Sequence, residues 1–303
     1  MEEKGKKGRM DYTLLLIVVL LVVIGLVILY STSAYNGQVK FHDSFYYLKK
    51  QAFATVLGIV LMLFVAGMDY HIWQRLAVFG YLAAVALSVA VMLFGREING
   101  SKRWLALGPF SFQPSEFAKV ALILFLADLV TKNVKTIGKM WTLCRIMFWI
   151  LPIVGLVGAS NLSTAIIILG IGVILIFVAS PKYAQFALMG IAGACFMGIF
   201  LALESYRLER LAIWRNPEKY EKGYQTLQGL YAIGSGGVFG VGIGNSVQKL
   251  GFVPEAQNDM IFSIICEELG IFGGLIVLML YAYLLYRLFV IAQNAPDLFG
   301  SLL

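Results

Sequence analysis

Long apolar runs separated by short polar loops dominate this chain. Eight of them approach the roughly 20 residues that a helix needs to cross a bilayer core of about 30 Å. The predicted spans cover residues 13–30, 51–67, 76–94, 117–131, 146–160, 163–179, 184–203 and 261–285. We find no strand pattern of period two, so the pattern predicts an all-α, polytopic membrane helical bundle and not a β-barrel.

One apolar stretch, residues 146–179, is interrupted by the polar sequence SNLST. The pieces on either side are short for membrane spans. A tight hairpin of two helices and one broken helix lining a cavity would both satisfy the backbone there. We prefer the hairpin.

The composition agrees with a multi-pass membrane protein. Hydrophobic residues make up 60% of the 303 residues and charged residues only 14%, and mean hydropathy is +0.82. Soluble domains have about 45–50% apolar and about 25% charged residues. The net charge of +7 is spread over the loops, which favours membrane lipids or an anionic substrate as partners and indicates no nucleic acid. The sequence contains no metal-ligand spacing.

The distribution of basic residues predicts the topology. With residues 204–260 left out, 11 Lys and Arg residues fall in loops predicted to be cytoplasmic and 7 in the shorter outer loops. This excess predicts that residues 1–12 form a cytoplasmic N-terminal tail and that the first span is a retained anchor. The large loop at 204–260, between spans seven and eight, is then extracytoplasmic.

Glycines are frequent near the end of this large loop. Gly236, Gly240 and Gly244 recur every four residues, which favours close helix packing, with a segment folded back into the bundle as the alternative. The run follows no predicted strand and no GK[ST] ends it, so it does not indicate a nucleotide-binding loop. Gln248 and Lys249 follow directly and bring an amide and a cation near Asp259 in sequence.

A second polar stretch, residues 95–119, reads GREINGSKRWLALGPFSFQPSEFAK and leads into the fourth span. If a helix begins near Pro114 or Ser115, Glu116 and Lys119 lie three residues apart on one face and can form an ion pair. An interfacial belt, in which the aromatic residues anchor the loop and the lysine snorkels, is the alternative, and it is the favoured explanation for the aromatic residues. For Glu116 and Lys119 a wet cavity and the interface remain equal alternatives.

The stretch PEAQNDMIFSIICEELG, residues 254–270, places acids at the edge of the last span and inside it. By position alone, Asp259 or Asn258 is predicted to cap the helix, because short polar side chains accept the free N–H groups of the first turn. A cap does not explain Glu267 and Glu268. Acids inside a span need cationic or polar partners on other helices, so these two predict a polar interior.

Three stretches together resemble the SEDS (shape, elongation, division, sporulation) proteins, which include FtsW, RodA and SpoVE. They read NGSKRWLALGPFSFQPSEFAKVALILFLA, NLSTAIII and GYQTLQGLYAIGSGGVFGVGIGNSVQKLGFVPEAQNDMIFSIICEELG. The last is more similar to the FtsW and SpoVE branch than to RodA. The resemblance implies that residues 13–303 form a SEDS-type transmembrane domain. The family normally has ten spans, and this chain lacks the last two, as a truncated product or a natural short form.

The resemblance also implies a function. SEDS proteins are peptidoglycan glycosyltransferases that polymerise lipid II, the undecaprenyl-pyrophosphate disaccharide-pentapeptide, at the outer membrane face. Their partners are a class B penicillin-binding protein and the proteins of division or sporulation complexes. A flippase for lipid-linked precursors or a scaffold for the penicillin-binding protein are the alternatives. Mg²⁺ or Mn²⁺ could help to neutralise the pyrophosphate, although no ligand cluster is readable.

The family's motif positions map onto specific residues of this chain. The essential acid falls on Asp259, which makes it the predicted catalytic base for the acceptor hydroxyl. The predicted substrate-binding residues are Lys102, Arg103, Gln113, Ser115, Glu116, Lys119, Arg210, Gln248, Lys249 and Glu255. Pro254 is a further motif position.

Two motifs depart from the family's pattern. The usual PEAHTD reads PEAQND here, so Gln257 and Asn258 replace a His and a Thr. The usual QPDLGT reads ASNLST, and Asn161 stands where the family has an acid. Because Gln257 replaces the His of the PEAHTD motif, any role of that His is absent from this chain.

Overall fold

Long helices form most of the chain, as the apolar runs predict. The structure is a computed structural model, and it describes residues 10–98, 101–107, 110–180, 182, 184–187, 190 and 212–303. The helices are α1 (Tyr12–Phe41), α2 (Tyr46–Ala66), α3 (His71–Phe94), α4 (Pro114–Asn133), α5 (Met140–Ser160), α6 (Leu162–Ala179), α7 (Tyr224–Gly236), α8 (Ile261–Gln293) and α9 (Leu298–Leu302).

Six helices of the described ranges, α1, α2, α3, α5, α6 and α8, are long and apolar enough to cross a membrane. They coincide with six of the eight predicted spans, which confirms a multi-pass membrane protein. The predicted span 117–131 lies within α4, a 20-residue helix that also carries four charged side chains and is not among the six. The predicted span 184–203 lies largely outside the described residues, so the total of eight spans stays a prediction.

The chain divides into two compact units. The first unit comprises residues 1–67 and 197–290 and contains α1, α2, α7 and most of α8. Asp11 caps α1 by accepting the N–H of Leu14 at 3.0 Å, and its other carboxylate oxygen pairs with Arg287 of α8. Ile28 of α1 also shares one buried apolar cluster with Ile265 and Val277 of α8, which joins the same two helices.

The second unit comprises residues 68–196 and 291–303. Its core lies among α3, α4, α5 and α6. Small side chains allow α3 and α4 to approach closely, as in other membrane bundles. Ala77 and Ala84 of α3 and Ala118 of α4 are fully buried. Within this unit the Tyr81 hydroxyl donates to the Trp149 carbonyl at 2.7 Å, which ties α3 to α5.

Helices α5 and α6 form the predicted hairpin. Only Asn161 separates them, and its side chain caps α6 by accepting the Thr164 N–H at 3.3 Å. A Cβ atom on Gly158 would lie 3.4 Å from Ala165, and one on Gly172 would lie within 3 Å of Ile150. Those two pairings run in opposite chain directions, so the helices are antiparallel and the hairpin prediction is confirmed.

The loop between α3 and α4 contains three short strands that the sequence analysis missed. They are β1 (Arg96–Ile98), β2 (Ser101–Leu107) and β3 (Phe110–Phe112), paired antiparallel in the order β1-β2-β3. Arg96 pairs with Trp104, and Leu105 with Phe112. Two strands of three residues are too short to produce a recognisable alternation of apolar and polar positions.

The short helix α9 is tied to the start of α3 within the second unit. Asp297 caps α9 by accepting the Gly300 N–H at 2.7 Å, and it also accepts the Tyr70 hydroxyl at 2.9 Å. Burial and the neighbouring Asp297 carboxylate raise the pKa of Tyr70 to about 12. Phe299 inserts beside Tyr70 into the core of the unit, 1% exposed.

Candidate functional site

Helix α8 is interrupted at Gly270, in the middle of a predicted span. Gly270 has φ 71° and ψ −176°, which are not helical values. In an unbroken helix each N–H would bond the carbonyl four residues earlier. Instead, the Ile271 N–H donates to the Gly237 carbonyl at 3.0 Å, and the Phe272 N–H donates to the Val238 carbonyl at 3.1 Å.

The same neighbouring segment also supplies donors to the carbonyl groups that the break leaves without a helical partner. The Glu267 carbonyl accepts the Val241 N–H at 3.0 Å, and the Glu268 carbonyl accepts the Gly242 N–H at 2.9 Å. The glycine-rich residues 237–253, here named the inserted segment, therefore replace the missing turn of α8. Non-helical backbone at membrane depth is stable only when its polar groups are satisfied in this way.

Glycines make this insertion possible. Gly240 has φ +79°, and a Cβ atom there would lie 2.2 Å from the Glu268 carbonyl oxygen. Gly244 also has a positive φ, of +88°. The predicted helix packing is therefore wrong for Gly240 and Gly244, where the folded-back segment is found. It is confirmed for Gly236, whose Cβ would lie 2.0 Å from the Cys266 carbonyl oxygen of the adjacent α8.

The two acids inside α8 hold the inserted segment. Glu267 is 3% exposed, and its carboxylate accepts the Ser246 hydroxyl at 2.5 Å and the Val247 N–H at 3.0 Å. Glu268 is fully buried, and its carboxylate lies 2.6 Å from the ammonium group of Lys249. The expectation that both acids face polar partners is confirmed.

Ser31 of α1 completes this buried cluster. Its hydroxyl oxygen lies 2.6 and 2.8 Å from the two carboxylate oxygens of Glu268 and accepts from the Lys249 ammonium at 2.9 Å. Sequence reasoning missed Ser31 because the predicted first span ends at residue 30, whereas α1 continues to Phe41. The run STS at 31–33, polar and entirely buried, is the signal that could have revealed it.

The inserted segment leads into the loop 254–260. The Val253 N–H donates to the Gln248 carbonyl at 2.9 Å, and Val253 and Ala256 pack against Ala232 and Ile264 in a small buried cluster. This packing anchors the loop on α7 and on the first turn of α8.

Amide side chains fix the middle of the same loop. Gln257 Nε2 and Asn258 Nδ2 donate to Glu255 Oε2 at 3.3 and 2.7 Å, and Gln257 Oε1 accepts from Asn36 Nδ2 of α1 at 3.1 Å. Glu255 and Gln257, one of them a predicted substrate-binding residue, thus take part in an internal network. Gln257 and Asn258, the two residues that depart from the family's pattern, are the two donors to the Glu255 carboxylate.

Asp259 lies in this loop immediately before α8. Its side chain is exposed, and its carboxylate has no hydrogen-bond or ion-pair partner among the described residues. The first helical bonds of α8 run from the N–H groups of Ser263 and Ile264 to the Met260 carbonyl, at 3.1 and 3.4 Å. The carboxylate therefore does not cap the helix, and the cap prediction is wrong for this side chain.

Two other predicted substrate-binding residues, Glu116 and Lys119, lie in the second unit, at the start of α4. This helix begins at Pro114, and Lys119 forms the predicted ion pair with Glu116, at 2.7 Å. The Glu116 side chain is 57% exposed and that of Lys119 is 26% exposed. This pair is therefore reachable by a ligand, although solvent weakens it.

Three further predicted residues line one small cavity of the second unit, Arg103, Gln113 and Ser115. Its volume is about 10 Å³, enough for about one water molecule. Arg103 Nε donates to the Ser160 carbonyl at 3.2 Å, and Gln113 Nε2 donates to the Ser115 hydroxyl at 3.1 Å.

Two predicted site residues have no described side chain. Arg210 lies outside the described residues, and for Lys102 only the strand backbone is described. Gln248 is half-buried, and its side-chain oxygen is buried without a hydrogen-bond partner among the described residues. In the described parts of the chain no three His, Cys, Asp or Glu side chains are grouped as metal ligands.

Comparison with known proteins identifies the family. The family model for FtsW, RodA and SpoVE, described as cell cycle protein, matches residues 12–303. The chain is 38% identical to the stage V sporulation protein E of Bacillus subtilis (strain 168), over 98% of this chain and 82% of that protein. It is 32% identical to the probable peptidoglycan glycosyltransferase FtsW of Saccharophagus degradans (strain 2-40), over 95% of this chain and 76% of that protein.

A solved structure supports the same assignment. It is described in the words "Structural coordination of polymerization and crosslinking by a peptidoglycan synthase complex". Its matching chain superposes with a TM-score of 0.77 at 30% identity, over 96% of this chain and 81% of that chain. The family match, the relatives and this likeness agree, and the chain belongs to the FtsW, RodA and SpoVE family of cell cycle proteins.

Proposed function

We propose that this protein is a peptidoglycan glycosyltransferase that polymerises lipid II at the outer face of the plasma membrane. The observation that carries the proposal is the exposed Asp259 carboxylate, which has no partner among the described residues. An unpaired carboxylate can accept a proton, whereas a capping carboxylate is already occupied. The name of the related FtsW protein, a probable peptidoglycan glycosyltransferase, supports the same activity.

The proposed reaction joins two sugars. The 4-hydroxyl of the acceptor N-acetylglucosamine attacks the anomeric carbon of the growing chain, and its proton passes to Asp259 as general base. A new carbon–oxygen bond forms as the bond from the anomeric carbon to the phosphate oxygen breaks. Undecaprenyl pyrophosphate leaves with that electron pair.

Cations are needed to stabilise the leaving pyrophosphate. Arg103 and Lys119 are described candidates, and Lys102 and Arg210 remain predictions from sequence. Lys249 differs, because its ammonium group is buried and already paired with Glu268. A divalent cation, Mg²⁺ or Mn²⁺, remains an alternative source of positive charge.

The proposed setting follows the topology prediction. The N-terminus is cytoplasmic, and the loop that contains Asp259 faces outward, where lipid II is consumed. A class B penicillin-binding protein is the proposed partner and would cross-link the new strands, within a division or sporulation complex. The similarity to a chain of a peptidoglycan synthase complex supports such a partner.

Polymerisation of lipid II by the purified protein tests the function. We expect glycan polymer from the wild type and at least about 100-fold less from Asp259→Asn, because amide replacement removes the base but keeps the shape. Glu218→Gln, an exposed acid in the preceding loop, is the matched control and should polymerise at the wild-type rate. Melting temperatures of all three should agree.

Other outcomes assign other functions. If the wild type and Asp259→Asn made equal amounts of polymer, the general base would have to be another residue. Transport of lipid II into vesicles without polymer would indicate a flippase. Absence of both, even with a penicillin-binding protein added, would indicate a scaffold.

A further inference from the structure

We propose that Lys249 and Glu268 are positioning residues that, with Ser31, hold the inserted segment in the break of α8 and so set the position of Asp259. This proposal rests on the proposed function, in which Asp259 is the base. It also changes the role predicted for Lys249, from a cation that binds substrate to half of an internal ion pair. We name Ser31, Lys249 and Glu268 the buried clamp.

Burial and distance support the internal role of Lys249. The side chains of Lys249 and Glu268 are 6% and 0% exposed, and their charged atoms lie 2.6 Å apart. To reach a pyrophosphate, the ammonium would have to leave a fully buried carboxylate without compensation. Such a separation is strongly unfavourable, because an unpaired buried charge loses its hydration without replacement.

The clamp acts on the inserted segment from both sides. Lys249 belongs to the inserted segment, Glu268 lies in α8 beside the break, and Ser31 lies in α1. Next to it, Glu267 binds Ser246 and the Val247 N–H of the same segment. Glu267 and Glu268, which are consecutive in α8, therefore bind the inserted segment between residues 246 and 249.

The position of Asp259 depends on this grip because its own side chain makes no described hydrogen bond. The loop that carries it is fixed by the inserted segment before it, by the amide contacts in its middle and by the first turn of α8 after it. Val253 bonds back to the Gln248 carbonyl, next to Lys249. Displacement of Lys249 would thus loosen the first of these three attachments and shift Asp259, while α8 remained in place. A base misplaced by about 1 Å can lose about 100-fold in rate.

A double-mutant cycle separates positioning from substrate binding. In Lys249→Met and in Glu268→Met one buried charge is left unpaired, so we expect kcat for lipid II polymerisation to fall at least about tenfold, with KM changed less than about twofold. The double variant removes both charges, and an apolar pair of similar volume can replace a buried ion pair. We expect its kcat to return to within about threefold of the wild type.

Two results of this cycle would overturn the proposal. The first is a double variant as stable as the wild type but as inactive as Lys249→Met, since the lysine itself would then be required. The second is a Lys249→Met protein whose KM rises about tenfold at unchanged kcat, since this is the signature of a lost substrate contact.

Ser31→Ala provides a milder variant that keeps both charges. Ser33→Ala is its matched control, because Ser33 is also buried in α1 but, among the described residues, bonds only the Leu29 carbonyl of its own helix. We expect Ser31→Ala to lower kcat about two- to fivefold and Ser33→Ala to leave it unchanged. Equal kcat values for the two variants would contradict the clamp, even if the double variant failed to fold.

Hydrogen exchange tests the clamp without any activity. We expect the backbone N–H groups of residues 250–260 to exchange at least about tenfold faster in Lys249→Met than in the wild type, with the double variant restored. Unchanged exchange in the single variants would refute the clamp. Faster exchange in a protein whose wild type makes no polymer would support the clamp while the glycosyltransferase function failed.

Discussion

At the scale of single residues, the loop before α8 shows how two sequence departures are accommodated. Glu255 has φ 51°, a left-handed value that is uncommon outside glycine. Its carboxylate accepts from both Gln257 and Asn258, and its backbone carbonyl accepts the Asn258 N–H at 2.9 Å. The amides that replace a His and a Thr thus stabilise the turn four residues before Asp259.

This network predicts that Glu255 acts as an acceptor of hydrogen bonds and that its charge is dispensable. Glu255→Gln keeps one side-chain oxygen for the two amides, so we expect polymerisation within about twofold of the wild type. Glu255→Leu removes the acceptor and should lower the rate about fivefold. Lipid II polymerisation by the two variants is the measurement. If Glu255 bound substrate through its charge, Gln would be as damaging as Leu.

At the scale of elements, the break in α8 divides one long helix into two halves, and the inserted segment bridges them by hydrogen bonds. Each half would be stable only with its end groups satisfied, and residues 237–242 supply four backbone hydrogen bonds across the gap. The arrangement requires Gly270, because a Cβ atom there would lie 2.3 Å from the Val238 carbonyl oxygen. The same contact therefore couples the position of the inserted segment to the geometry of α8.

Gly270→Ala tests this requirement. Both the positive φ and the backbone contact oppose a side chain, so we expect a loss of at least about 2 kcal/mol in the free energy of unfolding. Gly25→Ala is the control, since Gly25 lies inside α1 and a Cβ atom added there would meet nothing within 4 Å. That variant should gain up to about 1 kcal/mol. Unfolding in detergent by denaturant measures both, and equal stability of the two would disprove the requirement.

At the scale of the whole molecule, the features predicted from sequence are those set by neighbouring residues. Hydropathy located six spans, and helical spacing predicted the pair of Glu116 and Lys119, because both signals lie within one element. Ser31 and Glu268 are 237 positions apart, and no periodicity relates them. The break at Gly270 was missed for the same reason, because hydropathy is continuous through it and only the inserted segment requires it.

The topology decides whether the proposed reaction takes place on the correct side of the membrane. With the N-terminus in the cytoplasm, α1 ends outside near Lys40, and the loop between α4 and α5, with Lys135, lies inside. Both lysines are exposed, so single cysteines at these positions form a matched pair in a background without Cys144, Cys195 and Cys266. The excess of basic residues in the loops predicted to be cytoplasmic is the physical basis of this predicted orientation.

We expect a membrane-impermeant maleimide added to intact cells without an outer membrane barrier to label Lys40→Cys at least about tenfold more than Lys135→Cys. The reagent does not cross the membrane, so in intact cells it reaches only thiols in the loops that the charge distribution places outside. Permeabilised cells should label both equally, which controls for thiol reactivity. Labelling of Lys135→Cys alone would reverse the orientation. It would place the N-terminal end of α8, and Asp259 with it, on the cytoplasmic side, where an acid could not serve polymerisation at the outer face.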